Sequence, residues 1–400
     1  MSDVTAQYEA YPYPERVPSD EGKRLITGSP SHPLEIDHFV FGGKRDWSKP
    51  LRALVAGGGT GDALIQLAQV LTSAGRPYDI TYIDLSTSSR AIAQERARVR
   101  GLRDITFVTG SLLDAQDHGT FDYIDCCGVL HHLPDPQAGF RALAGALNPD
   151  GGLGFMVYAP YGRSGVYPLQ EAFGALLDGL PPREKLAQAR AILKGLPASH
   201  PFRLNPHLVD HQQGDAGFYD LLLHSQDRPF SVRALVSELE RAGLGLISFT
   251  QPALYDPAPL LPAGCPLPDD PLSAMEIAEK LRGTIKLHVG YARHASQAGK
   301  AMAGGSDPAL VPHLKGVTAQ ALAREVGSKG ALRLSLGAEK TVLPVPKAAA
   351  PLLARVDGKT SLGAIARAAG MDGLAFNALW GRTSRALTGY GLLLYSRLLV

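Results

Sequence analysis

The fold of this chain is decided by the stretch Leu51-Arg52-Ala53-Leu54-Val55-Ala56-Gly57-Gly58-Gly59-Thr60-Gly61-Asp62. It predicts a short apolar strand, a glycine turn and a helix, because the apolar positions between Leu64 and Leu71 recur at helical spacing. Glycines suit such a turn because they accept positive φ and let a ligand approach the backbone closely. The helix that follows directs its free N–H groups at the same place, so we expect a nucleotide-like ligand there.

A second predicted strand, residues 78–83, ends in Asp84, roughly 20 residues beyond the glycines. In a doubly wound sheet, a carboxylate at this point accepts hydrogen bonds from both ribose hydroxyls of a bound nucleotide. The spacing Gly57-x-Gly59-x-Gly61 differs from a dinucleotide fingerprint, whose third glycine would fall at Asp62. The pattern therefore disfavours a dehydrogenase.

Two further strands are predicted at residues 105–108 and 121–130, and the second leads into His131-His132-Leu133-Pro134-Asp135. Helices fill the gaps between the strands, which indicates a parallel sheet. Ligands bind at the carboxyl ends of such strands. The glycines, Asp84, Ser111 and Cys127-Gly128 all fall at those ends.

In this combination the chain resembles the class I S-adenosylmethionine-dependent methyltransferases. The resemblance rests on Gly57-x-Gly59-x-Gly61, on Asp84, and on the phrase Leu130-His131-His132-Leu133. It covers residues 51–160 and, more loosely, the elements that close the sheet. It implies an α/β fold: a doubly wound, seven-stranded Rossmann-like sheet whose last strand is antiparallel. It says little about the methyl acceptor.

The resemblance also implies where S-adenosyl-L-methionine, and its product S-adenosyl-L-homocysteine, would lie. The methionine part would run along the glycines, the ribose would bind Asp84, and the adenine would lie near Ser111, where many relatives have an acidic residue. Asp62 would either hold the cofactor's amino group or cap the helix. The predicted cofactor-binding residues are Gly57, Gly58, Gly59, Gly61, Asp62, Asp84, Leu85, Gly110, Ser111, Leu112, Cys127 and Gly128.

The candidates for contact with the acceptor are histidines and tyrosines near the same sheet edge. His131, His132 and Tyr161 are the candidate catalytic residues, with a histidine as general base or acceptor contact. Tyr11, Tyr13, Tyr158 and Tyr167 are the candidate substrate-binding residues. We predict no metal site, because adjacent histidines point apart on most backbones and the sequence shows no third ligand nearby.

Composition fits a globular enzyme. The 400 residues carry 40 Lys and Arg against 38 Asp and Glu, and are too many for one core, so we expect two or three domains. The three cysteines form neither a CxxC motif nor a disulfide framework, which indicates a reducing compartment. The N-terminus lacks a signal-peptide pattern, and no apolar run is long enough to span a membrane. We therefore expect a cytoplasmic protein.

Four regions are predicted. Residues 1–50, rich in proline and tyrosine, form a lid over the cofactor cleft or a strap on the sheet edge. Residues 51–296 form the methyltransferase domain, with a helical cap inserted at about 160–228. Residues 297–314 form a linker. Residues 315–400 form a winged-helix-like domain with 12 Lys and Arg against 4 Asp and Glu, a net charge of +8.

We expect methyl transfer by in-line displacement onto an acceptor enclosed under the two lids, either a small molecule or a protein side chain. One alternative is an RNA methyltransferase that uses the basic C-terminal domain, with binding that weakens steeply with salt. Another is a cofactor-binding regulatory protein without turnover. For the C-terminal domain, we favour dimerisation or docking on the catalytic domain over nucleic-acid binding.

Overall fold

A seven-stranded sheet forms the centre of the structure, a computed structural model that describes residues 8–9, 11–299, 301–336 and 339–400. Its strands are β1 (Leu51–Ala56), β2 (Tyr78–Asp84), β3 (Ile105–Thr109), β4 (Phe121–Cys127), β5 (Leu147–Tyr158), β6 (Leu244–Phe249) and β7 (Leu287–His294). Their order is β3-β2-β1-β4-β5-β7-β6. β1 to β5 are parallel, whereas β7 is antiparallel to both of its neighbours. The predicted fold class of this sheet is confirmed.

The α-helices connect and cover these strands. They are α1 (Pro33–Val40), α2 (Asp62–Ser73), α3 (Thr87–Val99), α4 (Pro136–Gly145), α5 (Val166–Leu177), α6 (Pro182–Gly195), α7 (Pro201–Leu204), α8 (Gly214–Leu222), α9 (Val232–Arg241), α10 (Pro271–Arg282), α11 (Ala295–Ala298), α12 (Ala319–Lys329), α13 (Ala350–Leu353), α14 (Leu362–Ala368) and α15 (Gly373–Gly389).

The two faces of the sheet are covered by helices whose apolar stripes follow from their sequences. Val232, Leu235 and Leu239 of α9 lie at helical spacing and are buried on one face together with α4. Helices α1 and α2 cover the other face. Ser86 and Ser231 begin α3 and α9 as N-caps, because each side chain accepts a hydrogen bond from a backbone N–H of the first turn.

The insertion between β5 and β6 contains α5 to α8 and has an apolar core of its own, which includes Phe173, Phe202 and Phe218. The insertion predicted as a helical cap is helical, and its longest helices are α5 and α6. The sequence analysis missed α8, which begins at Gly214, a weak helix former.

The C-terminal region combines α12 to α15 with the antiparallel hairpin of β9 (Ala331–Leu336) and β10 (Glu339–Pro344) around Trp380. A second antiparallel pair joins β8 (Pro312–Leu314) to β11 (Leu393–Tyr395). The segment predicted as a linker therefore ends in a strand, which is too short to show a pattern in the sequence. The winged-helix description of this region stays a prediction.

Asp37 of α1 joins the C-terminal region to the N-terminal segment. Its buried carboxylate accepts hydrogen bonds from Ser396 Oγ at 2.7 Å and from the Arg397 backbone N–H at 2.9 Å. It also accepts from Trp47 Nε1 at 2.9 Å and from the Arg45 N–H at 3.0 Å. One carboxylate thus satisfies four donors from two separate segments of the chain.

No helix in the described part of the chain is both long and apolar enough to cross a membrane.

We predict that Asp37→Ala lowers the free energy of unfolding by about 3 kcal/mol or more, because it leaves several buried donors without an acceptor. The matched control is Asp46→Ala, which removes an exposed carboxylate from the same region and should change stability by less than about 0.5 kcal/mol. Urea unfolding of both variants checks this, and equal effects would contradict the assigned role of Asp37.

Candidate functional site

The turn between β1 and α2 accepts only glycine at several positions. Gly57, Gly59 and Gly61 have φ values of +70°, +51° and +101°. A Cβ atom at Gly57 would lie 2.5 Å from the Val129 side chain, and one at Gly58 would lie 2.3 Å from the Tyr82 ring. The backbone of this turn is therefore held close to its neighbours without intervening side chains, and it can approach a ligand equally closely.

Asp84, the last residue of β2, is held directly beside this turn. Its Oδ2 accepts a hydrogen bond from the Gly59 N–H at 2.7 Å, and its Oδ1 accepts from the Ser86 N–H at 2.8 Å. Burial raises the pKa of the Asp84 carboxyl, and these backbone hydrogen bonds partly offset that effect. The two bonds fix the carboxylate at the edge of the cavity, where hydroxyl donors of a ligand can reach it.

A cavity of about 850 Å³ lies at the carboxyl ends of the strands, a size within the usual range for small-molecule sites. Eleven of the twelve predicted cofactor-binding residues line it: Gly57, Gly58, Gly59, Asp62, Asp84, Leu85, Gly110, Ser111, Leu112, Cys127 and Gly128. The twelfth, Gly61, lies behind the turn, where a Cβ would come within 2.9 Å of Ala93 in α3. Gly61 thus permits close packing of α2 on α3.

Asp62 contacts two arginine side chains, which the sequence analysis did not predict. Its carboxylate accepts hydrogen bonds from Arg16 Nη2 at 2.6 Å, from Arg16 Nε at 2.9 Å and from Arg96 Nη1 at 2.8 Å. It makes no capping bond, and the N-cap of α2 is Gly61. Asp62 is therefore already neutralised by two arginines, and it fastens the N-terminal segment to α3.

The N-terminal segment crosses the glycine turn and forms one wall of the cavity. Thr60 Oγ1 donates a hydrogen bond to the Pro14 carbonyl at 2.7 Å, and the Tyr13 carbonyl oxygen lies 2.8 Å from where a Cβ of Gly59 would be. Gln66 of α2 donates through Nε2 to the Gly28 carbonyl at 2.9 Å. Residues 13–17 accordingly line the cavity.

A polar cluster forms the wall next to the helical insertion. Asp220 is buried and accepts hydrogen bonds from the hydroxyls of Tyr158, at 3.0 Å, and Tyr8, at 3.2 Å. His224 Nδ1 accepts from the Gln226 N–H at 3.0 Å, so Nε2 carries the proton in the neutral ring and lies 3.3 Å from the Tyr8 oxygen. Burial raises the pKa of Asp220 and lowers that of His224.

His132 has a defined tautomer. Its Nδ1 lies 2.7 Å from the Gln226 carbonyl oxygen and must donate to it, which leaves Nε2 with a lone pair. The side chain lines the cavity together with Tyr158 and Asp220. His132 can therefore accept a proton from a group bound there.

The structure brings further candidate metal ligands close to His131 and His132, contrary to the expectation from the sequence. Among the described residues, His132 lies with Asp220 and His224, and also with His131 and Asp227, at distances that an ion could bridge. However, the rings of His132 and His224 are stacked at 3.7 Å with an angle of 16°, so they cannot both direct a lone pair at one ion. In the other group, Arg163 already lies 3.3 Å from Asp227. We interpret the first group as a hydrogen-bonded cluster and the second as side chains around the Arg163–Asp227 ion pair.

Four of the predicted acceptor residues lie outside the cavity lining. His131 is buried against the Tyr158 ring at 3.9 Å, and its ring nitrogens have no hydrogen-bond partner within the described chain. Tyr161 is 36% exposed. Tyr11 stacks on Tyr219 in the insertion, and Tyr167 accepts a hydrogen bond from Arg163 Nε. Of the predicted acceptor residues, Tyr13, Tyr158 and His132 line the cavity.

Sequence reasoning missed several residues of the site. Tyr8 and Asp220 meet across 212 positions of sequence, and Arg16 reaches Asp62 across 46. Such pairs leave no local pattern. Arg163 follows β5 and could have been noticed as the one cation in a tyrosine-rich loop; its guanidinium lies 3.6 Å from the centre of the Tyr158 ring.

Asp125 of β4 is a further residue that the sequence analysis did not select. It is buried, it lines the cavity, and its Oδ2 accepts a hydrogen bond from the Tyr123 hydroxyl at 3.2 Å. Its Oδ1 has no hydrogen-bond partner among the residues that the structure describes. Burial raises the pKa of Asp125 to about 6, with the hydroxyls of Ser31 and Tyr123 acting in the opposite direction.

Comparison with known proteins agrees with this geometry. Residues 54–153 match a family model described as a methyltransferase domain. An uncharacterized protein of Synechococcus sp. is 37% identical over 261 residues, 64% of this chain and 61% of that protein. The ubiquinone biosynthesis O-methyltransferase of Xanthomonas campestris pv. campestris is 26% identical over 155 residues, 32% of this chain and 62% of that enzyme. The chain thus spans about three fifths of the length of these relatives.

Among solved structures, PKMT2 from Rickettsia typhi in complex with AdoHcy superposes with a TM-score of 0.63. The superposition covers 92% of this chain and 76% of that one, at 15% sequence identity, so the likeness concerns the fold. The family match thus identifies a methyltransferase domain in residues 54–153, and the sheet order and the glycine turn are those of the class I S-adenosylmethionine-dependent methyltransferase fold. The carboxylate of Asp84 beside a side-chain-free turn fits the cofactor of that family.

We predict that Asp125→Asn is more stable than the unaltered protein above pH 6, by up to about 3 kcal/mol. An unfolded Asp titrates near pH 3.9. Because the native pKa is higher, the native state binds the extra proton, and the unaltered protein loses this contribution as the pH rises from about 4 to 6. The titratable groups that interact with Asp125 are Tyr123, Cys126, Cys127 and Tyr291, and they are the same in both proteins.

Urea unfolding of both proteins at pH 8 and at pH 4 measures this difference. The two proteins should have similar stability at pH 4. A variant that is destabilised equally at both pH values would contradict the raised native pKa.

Proposed function

We propose that this protein binds S-adenosyl-L-methionine in the cavity and transfers its methyl group to a nucleophile bound beside His132. The observation that carries the proposal is that one cavity contains both the glycine turn with Asp84 and the cluster of His132, Tyr158 and Asp220. The first part offers donors and a carboxylate for a nucleoside. The second part offers a proton acceptor for the group to be methylated.

The bound cofactor would supply an electrophilic methyl group on a sulfonium sulfur. The chain's own contribution is to bind, orient and exclude water. In this proposal Asp84 accepts the ribose hydroxyls, and Asp62 and Ala63 at the start of α2 line the same cavity. Methyl transfer needs alignment more than covalent assistance, so fixed geometry on rigid strands suits this reaction.

His132 is the proposed general base. Its Nδ1–H bond to the Gln226 carbonyl fixes the ring, and its Nε2 has the lone pair needed to accept a proton. The polar wall of Tyr13, Tyr158 and Asp220 favours a polar acceptor with a proton to lose, either a small molecule or a protein side chain. The role of His131 is to pack under Tyr158.

The N-terminal segment and the helical insertion are the proposed covers of the site. Arg16 and Tyr13 belong to the first, and Asp220 to the second, and all three line the cavity. The Tyr8 hydroxyl bonded to Asp220 joins the two covers. A site closed from both sides excludes water from the transferring methyl group.

We predict that the purified protein binds S-adenosylmethionine and S-adenosylhomocysteine, but not NAD, in a calorimetric titration. Asp84→Ala should weaken binding by at least about 30-fold, because it removes charge-assisted hydrogen bonds to the ribose. Asp79→Ala is the matched control: it removes an exposed carboxylate from the same strand and should leave affinity unchanged. Preference for NAD would contradict the proposed function.

We predict that His132→Phe lowers the rate of methyl transfer by about 10²- to 10⁴-fold while leaving cofactor affinity unchanged, because it removes a general base. The assay follows tritium from labelled S-adenosylmethionine into fractions of a cell extract. His131→Phe, which keeps an aromatic ring against Tyr158, should retain most of the activity. If both variants lost activity equally, a packing role for both histidines would replace the general base. Cofactor binding with no transfer to any fraction would favour a regulatory protein.

A further inference from the structure

The cavity has an unmatched negative group on its sheet side. Asp125 Oδ1 is buried and has no hydrogen-bond partner within the part of the chain that the structure describes. The hydroxyl of Ser31 lies close enough to influence the carboxyl, but it does not bond Oδ1. A buried carboxylate with a free oxygen costs stability unless a donor or a cation meets it. A ligand is the natural source of that partner, because Asp125 lines the cavity.

The register of the sheet places Asp125 beside the glycine turn. Asp125 of β4 pairs with Val55 of β1, and Val55 is two residues before Gly57. Side chains two positions apart on a strand share a face, so Asp125 lies on the same face as Cys127, and both line the cavity. Asp84 lies on the other side of β1, at the end of β2. A ligand that bound both carboxylates would extend across the end of β1.

Beside the glycine turn, the charged groups Asp62 and Arg16 already form ion pairs. Asp62 is paired with Arg16 and Arg96. Arg16 in turn donates hydrogen bonds to Asp62 and to the Glu15 carbonyl. The described residues therefore leave Asp125 as the carboxylate next to the turn with an oxygen still available.

We propose that Asp125 binds the α-ammonium group of the methionine part of the cofactor, an inference that rests on the proposed function. The ribose bound at Asp84 would direct the methionine chain along the glycine turn, and the turn leads to Asp125. The ammonium group donates a charge-assisted hydrogen bond to Oδ1 and compensates the buried negative charge. The residue that holds the amino group is thus Asp125 and not Asp62.

The test compares two ligands that differ in one group. S-adenosylhomocysteine carries the α-ammonium, and deamino-S-adenosylhomocysteine lacks only that amino group. Both are titrated calorimetrically at pH 7.5 into the unaltered protein, Asp125→Asn and Asp62→Asn. Asp84→Asn serves as the control for ribose binding and should weaken both ligands alike.

For Asp125→Asn we expect affinity for S-adenosylhomocysteine to fall about 10- to 100-fold, with affinity for the deamino analogue unchanged. The unaltered protein should discriminate between the two ligands by a similar factor. Asp62→Asn should keep that discrimination, because its carboxylate holds the N-terminal segment and not the amino group.

Equal losses for both ligands in Asp125→Asn, or no loss for either, would overturn the role of Asp125 and leave the proposed function intact. Discrimination lost in Asp62→Asn instead would return the amino group to that residue. If the unaltered protein bound neither ligand, the proposed function itself would fail. Native-state stability of Asp125→Asn, measured in the same buffer, confirms that the variant is folded.

Discussion

The structure depends on the close approach of four elements to one backbone turn. Gly57 faces the Val129 side chain, Gly58 faces Tyr82 of β2, Gly59 faces the N-terminal segment, and Gly61 faces α3. A side chain at any of these positions would push one element away. The Gly59 N–H then donates to Asp84, which fixes the carboxylate at the end of β2 relative to the turn. Packing and the proposed cofactor site therefore share the same constraint.

The site is completed by parts of the chain that are far apart in sequence. The N-terminal segment is fastened at one end by Arg16 on Asp62 and at the other by Tyr8 on Asp220. Asp37 of α1 then binds the last residues of the C-terminal region through Ser396 and Arg397. The N-terminal segment thus connects the cavity, the insertion and the C-terminal region.

The sequence predicted the parts of the site that are encoded locally. Three of these parts directly follow parallel strands: the glycine turn, Asp84 and the residues after β4. Because the carboxyl ends of parallel strands lie at one edge of the sheet, it could be predicted that these residues come together there. The roles of His131 and His132 could not be distinguished from the sequence, because the two identical residues are adjacent in the same motif. The structure separates them: His132 lines the cavity, whereas His131 packs behind Tyr158.

Contacts between distant segments could not be predicted in this way. Asp62 stands beside the last glycine, which suggested a contact with the cofactor or a helix cap, but its partners Arg16 and Arg96 come from other elements. Asp125 lies within an apolar strand and gave no motif. Its importance follows only from its burial and its unpaired oxygen. The fold determines which distant charged residues pair, and the periodicity of the sequence does not show these pairs.

The most direct test of the proposed cofactor site is a crystal structure of the protein, determined from crystals grown with saturating S-adenosylhomocysteine. We predict that the ribose hydroxyls lie within hydrogen-bonding distance of Asp84, with the adenine beside Leu112 and the homocysteine part along the glycine turn. Ligand density elsewhere on the protein, with the cavity at the ends of β1, β2 and β4 filled only by water, would contradict the central claim.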